Sequence, residues 1–174
     1  MVGGILHMIK VLFVCLGNIC RSPMAEAMFR DAVRREGLEK EIYVDSAGTG
    51  DWHVGQPPHK GTIEILNRNK ISVEGLKARQ IQHKDIEEFD YIIAMDSDNK
   101  KNIESMKAKY PKARVEVLLD FVPHRKEKNV PDPYFTGNFQ EVFDLLSEGC
   151  RNLLEHIKAN DLNRKEGHAN GEYK

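Results

Sequence analysis

The chain has 174 residues, 40% hydrophobic and 30% charged, with 7 prolines, 13 glycines and no biased tract; this fits one domain and excludes disorder and fibrous repeats. Twenty-six basic residues stand against 27 acidic ones, a formal net charge of −1, so no overall field draws the molecule to nucleic acid or to an acidic membrane, and any anion site has to be local. Three cysteines, Cys15, Cys20 and Cys150, are too few and too odd in number for a secreted disulfide framework, which points to a reducing, cytoplasmic compartment.

Residues 1–7 have no basic n-region and no cleavage site, and read as an extension ahead of Met8. The apolar run Val11 to Leu16 falls far short of the ~20 residues of a membrane span. Ile9 to Val14 is a near-continuous β-branched and aromatic run, the pattern of a parallel strand buried on both faces. Beyond Ser22, Pro23 suits a first helical turn; Ala25, Met28, Phe29, Ala32 and Val33 recur at helical spacing, and Gly37 closes the element. Ile42 to Ala47 reads as a second strand, followed by a long turn-rich loop to Pro58 and a helix from about Lys60 to Asn69. Tyr91 to Met95 is a third strand, Ser97 to Lys109 a polar helix, and Val115 to Leu119 a fourth strand. A second long loop runs from Phe121 to Gly137. In the last helix Phe139, Val142, Phe143, Leu146, Cys150, Leu153, Leu154 and Ile157 trace one face, which makes Cys150 a core residue. After Ala159 the chain is polar and reads as frayed. The expectation is an α/β fold: a single three-layer domain over residues 8–159 with a four-stranded parallel sheet flanked by helices, and a polar tail over 160–174. In such sheets ligands bind beyond the carboxyl ends of the strands, where both long loops fall.

The loop Cys15-Leu16-Gly17-Asn18-Ile19-Cys20-Arg21-Ser22 joins a buried strand to a capped helix. Its length, with Gly17 and Asn18 tolerating unusual backbone angles, lets successive N–H groups turn inward as an anion nest at a helix N-terminus. Arg21 can fork onto two phosphate oxygens. The same field favours a thiolate, making Cys15 the candidate nucleophile. Far along the chain, Pro131-Asp132-Pro133-Tyr134 holds an aspartate on a stiff loop, where it can protonate a leaving alkoxide or phenoxide. Read alone, Asp132 is an ordinary Asx-Pro turn; paired with the cysteine loop it is a candidate general acid.

These residues resemble the low-molecular-weight protein tyrosine phosphatase family from about Met8 to Lys158. The signature is Cys15-x5-Arg21-Ser22 after Val-Leu-Phe-Val, with Asp132-Pro133-Tyr134 downstream and Ser46-Ala47-Gly48, Ala78-Arg79-Gln80 and Met95-Asp96 in order between them. The resemblance implies the phosphotyrosine phosphatase I-like fold and hydrolysis of phosphotyrosine in proteins, and of small aryl phosphates, through a phosphocysteine on Cys15. Asp132 would serve as general acid and then base, and Arg21 would bind the equatorial oxygens. Leu16, Gly17, Asn18, Ile19, Cys20 and Ser22 would form the phosphate loop, with Ser22 bonded to the thiolate. Asn18 and Ser46 would act as loop support. No cofactor or metal is implied.

Trp52, Tyr134 and Phe135 are the expected cleft walls beside Leu16 and Ile19, with a packed anchor or core role open for Trp52 and Phe135. A related branch that removes phosphate from arginine looks to carry threonine at the position of Ile19, so Ile19 favours phosphotyrosine. The family pattern also implies a reversible disulfide between Cys15 and Cys20, with a buried space-filling role open for Cys20. Leu76 stands where many members have a histidine supporting the loop asparagine, which leaves that support unassigned. His53, His59, His83 and His124 read as surface residues. A thioredoxin-coupled arsenate reductase shares fold and loop but needs two further cysteines, and residues 77 to 100 contain none. A silent phosphotyrosine-binding module would lack the nucleophile or the acid, and a thiol sensor would use Cys15 and Cys20 without turnover. The expected partners are phosphotyrosine-containing proteins and a tyrosine kinase, with no nucleic acid or membrane, for a monomer or weak dimer.

Overall fold

Strand β1 (Ile9–Cys15) is the axis of the molecule in the computed structural model, which describes residues 7–106 and 111–162. It pairs in parallel with β2 (Ile42–Gly48) on one side and β3 (Tyr91–Ala94) on the other, and β3 pairs with β4 (Arg114–Val117), giving the order β2-β1-β3-β4. Because side chains alternate along a strand, β1 feeds two separate cores. Val11, Phe13 and Cys15 pack on one face with Ile93 and Met95, under helices α1 (Arg21–Arg35), α2 (Lys60–Arg68) and α6 (Phe139–Ile157). Leu12 and Val14 pack on the other with Ile92 and Ala94, against α3 (His83–Glu88) and α4 (Ser97–Glu104). This double burial explains the unbroken apolar run at the start of the chain. The chain leaves β1 toward β2 on one side and returns to β3 on the other, so the strand order reverses at the carboxyl end of β1, the place where open parallel sheets form a crevice. Cys15 is the last residue of that strand.

Most expected elements stand within a residue or two of their positions, and Gly37 closes α1 with φ +71. Four differ. Helix α3 is absent from the sequence reading: only Ile86 is apolar in its six residues, and it is held by the Asp85 carboxylate accepting from Gln82 N at 2.7 Å. The fourth strand starts one residue earlier and ends at Val117, because Leu118 and Leu119 turn into a 3-10 segment (Leu118–Phe121) that buries both on α6. The loop from Phe121 to Gly137 contains a four-residue helix, α5 (Pro133–Thr136), capped by Asp132. Helix α4 ends at Glu104 rather than Lys109, and residues 107–109 of that expectation lie outside the described residues. Nor does the chain fray at Ala159: a π-helical turn (Lys158–Leu162) continues α6 and buries Leu162, and its Asp161 accepts from Tyr91 Oη at 2.6 Å. Residues 1–6 of the expected extension and 163–174 of the expected tail lie outside the described residues. Among the described residues no helix is long and apolar enough to cross a membrane.

Candidate active site

The loop between β1 and α1 is tied down from outside. Thr49 N and Gly50 N donate to the carbonyls of Cys15 and Leu16, both at 2.9 Å, His59 N to Ile19 O at 2.7 Å, and Thr62 Oγ1 to Cys20 O at 3.1 Å. The N–H groups of Gly17, Ile19 and Cys20 donate to nothing among the described residues, so they remain for an anion at the start of α1. Asn18 turns the loop with φ +57, a left-handed conformation that asparagine tolerates better than most residues. Gly48 lets β2 approach from behind, since a Cβ there would stand 2.9 Å from Leu16 O.

Inside the loop, Cys15 Sγ accepts from Asn18 N at 3.3 Å and lies 3.0 Å from Ser22 Oγ. Asn18 Nδ2 donates to Ser22 Oγ at 2.7 Å and to Ser46 Oγ at 3.0 Å. Leu76 is buried in the core, and Asn18 Oδ1 is met instead by the backbone N–H of Arg79 at 2.9 Å. Ser46 in turn donates to Glu26 Oε1 at 2.6 Å.

Arg21 is 3% exposed. Its Nη1 donates to Asp96 Oδ2 at 2.7 Å and to Val130 O at 3.0 Å, and its Nη2 lies 3.4 Å from Asp132 Oδ2. Burial works against the guanidinium charge, but Cys15, Asp96 and Asp132 outweigh it and hold its pKa above the ordinary arginine value. Arg21 Nε is buried without a partner among the described residues, an expensive state for a donor. Asp132 caps α5, its Oδ1 accepting from Tyr134 N at 3.1 Å, and this turns its other oxygen toward Arg21.

Around these groups lies a cleft of about 240 Å³ lined by Cys15, Leu16, Gly17, Ile19, Cys20, Trp52, His53, Asp132, Tyr134 and Phe135. Trp52, Tyr134 and Phe135 are exposed walls, and Phe135, at 77% exposure, has no core role. Trp52 lies over Gly50, where any Cβ would strike the indole. The three cysteines are free thiols, and they differ in surroundings. Burial first, then Asp132 and Cys15, push Cys20 up to about 12 against the pull of Arg21. Burial alone pushes Cys150 up to about 12. Among the described residues no group of three or more His, Cys, Asp or Glu side chains is arranged to hold a metal ion.

Every residue expected at the site is therefore in or directly behind one cleft, and the sequence reading missed three others. Asp96, noted only as part of a landmark, is the half-buried partner of the buried Arg21. His53 is not a bystander: it lines the cleft, its ring near Tyr134 and its Nδ1 3.0 Å from Gln56 Oε1. His59 is likewise packed, stacked on Phe139 and capping α2 through Nδ1. The signal for Asp96 was its place one residue after a buried strand run on the catalytic side of the sheet. Glu26 was marked only by standing as a lone charge among the apolar Met24, Ala25, Ala27 and Met28 of α1.

Residues 10–164 match the family model described as low molecular weight phosphotyrosine protein phosphatase. The chain is 54% identical over 151 residues to the low molecular weight protein-tyrosine-phosphatase YfkJ of Bacillus subtilis (strain 168), covering 87% of this chain and 97% of that protein. It is 45% identical over 160 residues to PtpA of Staphylococcus aureus (strain MRSA252), described in the same words, covering 92% and 100%. The crystal structure of YfkJ superposes with a TM-score of 0.86 at 53% identity, covering 89% of this chain and 98% of that one. That of the drosophila arginine phosphatase DARP superposes with a TM-score of 0.82 at 34% identity, covering 88% and 100%.

Proposed function

Because the chain belongs to the low molecular weight phosphotyrosine protein phosphatase family, we propose that it hydrolyses phosphotyrosine in proteins, and small aryl phosphates, through a phosphocysteine intermediate. The observation that carries this reading is the convergence of Cys15, Arg21 and Asp132 on one cleft, although Arg21 and Asp132 are 111 residues apart in sequence. A phosphate seated in the loop would receive the inward N–H groups of Gly17, Ile19 and Cys20 and the orphaned Nε of Arg21, satisfying donors that otherwise stay unpaired. Cys15 Sγ attacks phosphorus in line, the phosphorus–oxygen bond to tyrosine breaks, and Asp132 gives its proton to the departing oxygen. Water then attacks phosphorus with Asp132 as base, the sulfur–phosphorus bond breaks, and the Ser22 hydroxyl stabilises the thiolate that leaves. Leu16 and Ile19 with Trp52, Tyr134 and Phe135 clasp the aromatic ring.

Ile19 also bears on the choice between phosphotyrosine and phosphoarginine. Its apolar side chain reduces the room beside the loop, and the aromatic lining of Trp52, Tyr134 and Phe135 suits a phenyl ring. The same reading makes residues 8–159 the catalytic domain of a monomer or weak dimer acting in the cytoplasm on proteins phosphorylated by a tyrosine kinase. Cys20, its thiol poorly ionised, would serve only after an oxidant such as peroxide has converted Cys15 to a sulfenic acid: Cys20 sulfur attacks Cys15 sulfur, a disulfide forms and water leaves. Assays with phosphotyrosyl and phosphoarginyl peptides, run in chelator and reductant with wild type and Cys15→Ser, test the proposal. Turnover of the phosphotyrosyl peptide by wild type alone is expected; equal rates in the two proteins, or a preference for phosphoarginine, would overturn it.

A further inference from the structure

Glu26 has no place in this chemistry, yet it is a carboxyl group on α1 that is only 6% exposed. Its Oε1 accepts from Ser46 Oγ at 2.6 Å, within the short range of a hydroxyl donating to an ionised carboxylate. From there the contacts run without a break to the nucleophile: Asn18 Nδ2 to Ser46 Oγ at 3.0 Å, the same nitrogen to Ser22 Oγ at 2.7 Å, and Ser22 Oγ to Cys15 Sγ at 3.0 Å.

The direction of this chain is set at its middle. Arg79 N donates to Asn18 Oδ1, so the amide must turn its NH2 toward both serines. Each serine oxygen therefore accepts from Asn18 and has one hydrogen left to give. Ser22 can give its hydrogen to Cys15, its other neighbour being Ala47 O at a longer 3.5 Å, and Ser46 can give its own to Glu26. A carboxylate can only accept, which completes the pattern; a neutral carboxylic acid can also donate. A proton on Oε1 would turn the Ser46 hydrogen back against the Asn18 amide, and a proton on Oε2 would meet Arg30 Nη1, a donor 3.2 Å away.

Several charged groups face this carboxyl. Arg30 lies on its own helix, Asp45 and Tyr43 on β2, and Arg79 comes from the segment before α3, held there by Asp45 and Asp85. Burial outweighs the rest: against the Ser46 hydrogen bond and the two arginines, and with help from Asp45, it pushes Glu26 up to about 7. The hydrogen-bond pattern asks for an ionised group and the surroundings resist it, so the balance falls at neutral pH.

We propose that Glu26 is a positioning residue whose ionised carboxylate fixes the direction of the hydrogen-bond chain ending on Cys15, so that protonating it loosens the hold on the nucleophile loop. The proposal rests on Cys15 being the nucleophile of a phosphatase. It is tested by the ratio of kcat/KM for p-nitrophenyl phosphate, wild type over Glu26→Gln, across pH. The ratio cancels the ionisation of the substrate, which both proteins share.

The loss of one charge-assisted bond predicts a ratio of about tenfold at about pH 8, falling to about one at about pH 5.5, where both side chains are neutral, with its midpoint near 7. Wild type over Ser46→Ala should show the same shape, which keeps the test open if Glu26→Gln does not fold. In a Ser46→Ala background the Glu26→Gln ratio should be flat. A hydrolysing wild type whose ratios do not change with pH overturns this proposal alone, as does a pH-dependent Glu26→Gln ratio that survives Ser46→Ala. A wild type that hydrolyses nothing at any pH overturns the phosphatase reading and this proposal with it.

Discussion

The loop from Cys15 to Ser22 and the segment from Val130 to Gly137 face each other across the cleft, and they are built in opposite ways. In the first, Cys15, Asn18, Arg21 and Ser22 are all buried, four carbonyls are bonded from outside, and the one asparagine that turns the loop is held at both ends of its amide. In the second, Tyr134 and Phe135 stand more than half exposed, and Asp132 is held by a cap bond to Tyr134 N and a longer contact of 3.4 Å to Arg21. The difference suits the chemistry proposed for each side. A phosphoryl group presents the same oxygens in every substrate, so donors fixed in advance stabilise its transition state without rearranging. Leaving groups and the proteins that carry them vary, and an exposed segment with aromatic tips can adapt to them.

Cys15→Ser removes the nucleophile from the rigid side and is expected to lower kcat on the order of 10⁴-fold or more for every substrate. Stopped assays over a range of aryl phosphates measure this, and a loss that depends on the leaving group would break the contrast. Asp132→Ala acts on the adaptable side. Its loss should reach about 10²–10³-fold for poor leaving groups and stay much smaller for good ones, so a uniform loss in a linear free-energy plot would show that Asp132 merely shapes the segment.

The rigid side also has a stability cost that pH can expose. Glu26 is raised from 4.5 to about 7 on folding, so between those values the folded state holds a proton that the unfolded state has released. Stability is complete below the lower value and is lost as pH rises through the upper one, by about 3 kcal/mol in all. Chemical denaturation at several pH values should show this decline in wild type and not in Glu26→Gln; stability that rises over the same interval would contradict the assignment. Trp52→Ala, on the exposed wall, should raise KM severalfold for aryl phosphates while leaving kcat and stability nearly unchanged, since its indole is 65% exposed. A large drop in thermal midpoint would return Trp52 to the role of packing anchor.

The rigid side was the more legible in sequence. Cys15, Asn18, Arg21 and Ser22 lie within eight consecutive residues between a buried strand and a helix, so spacing alone brings them together. The sheet was readable for the same reason, since double burial leaves an unbroken apolar run. What stayed hidden depended on contacts between distant segments. The pairing of Arg21 with Asp96 spans 75 residues, and only its place directly after a buried strand run distinguishes Asp96 from a surface aspartate. Glu26 stands as a lone charge among the buried Met24, Ala25, Ala27 and Met28, and its partners show only when Ser46 and Asn18 are brought against it. Leu76, the departure that left the loop asparagine without its usual histidine, turns out to be core, with the backbone of Arg79 meeting the amide instead. Helix α3 was missed because one isoleucine in six residues gives no periodicity to detect.

The central claim is that phosphate passes through Cys15 sulfur. Asp132→Ala slows the second step by removing its base, so an aryl phosphate with a good leaving group should load this variant faster than water clears it. Acid quenching followed by peptide mass spectrometry should find phosphate on the peptide carrying Cys15 and on no other. Turnover with that peptide unmodified, or phosphate on a different residue, would contradict the account.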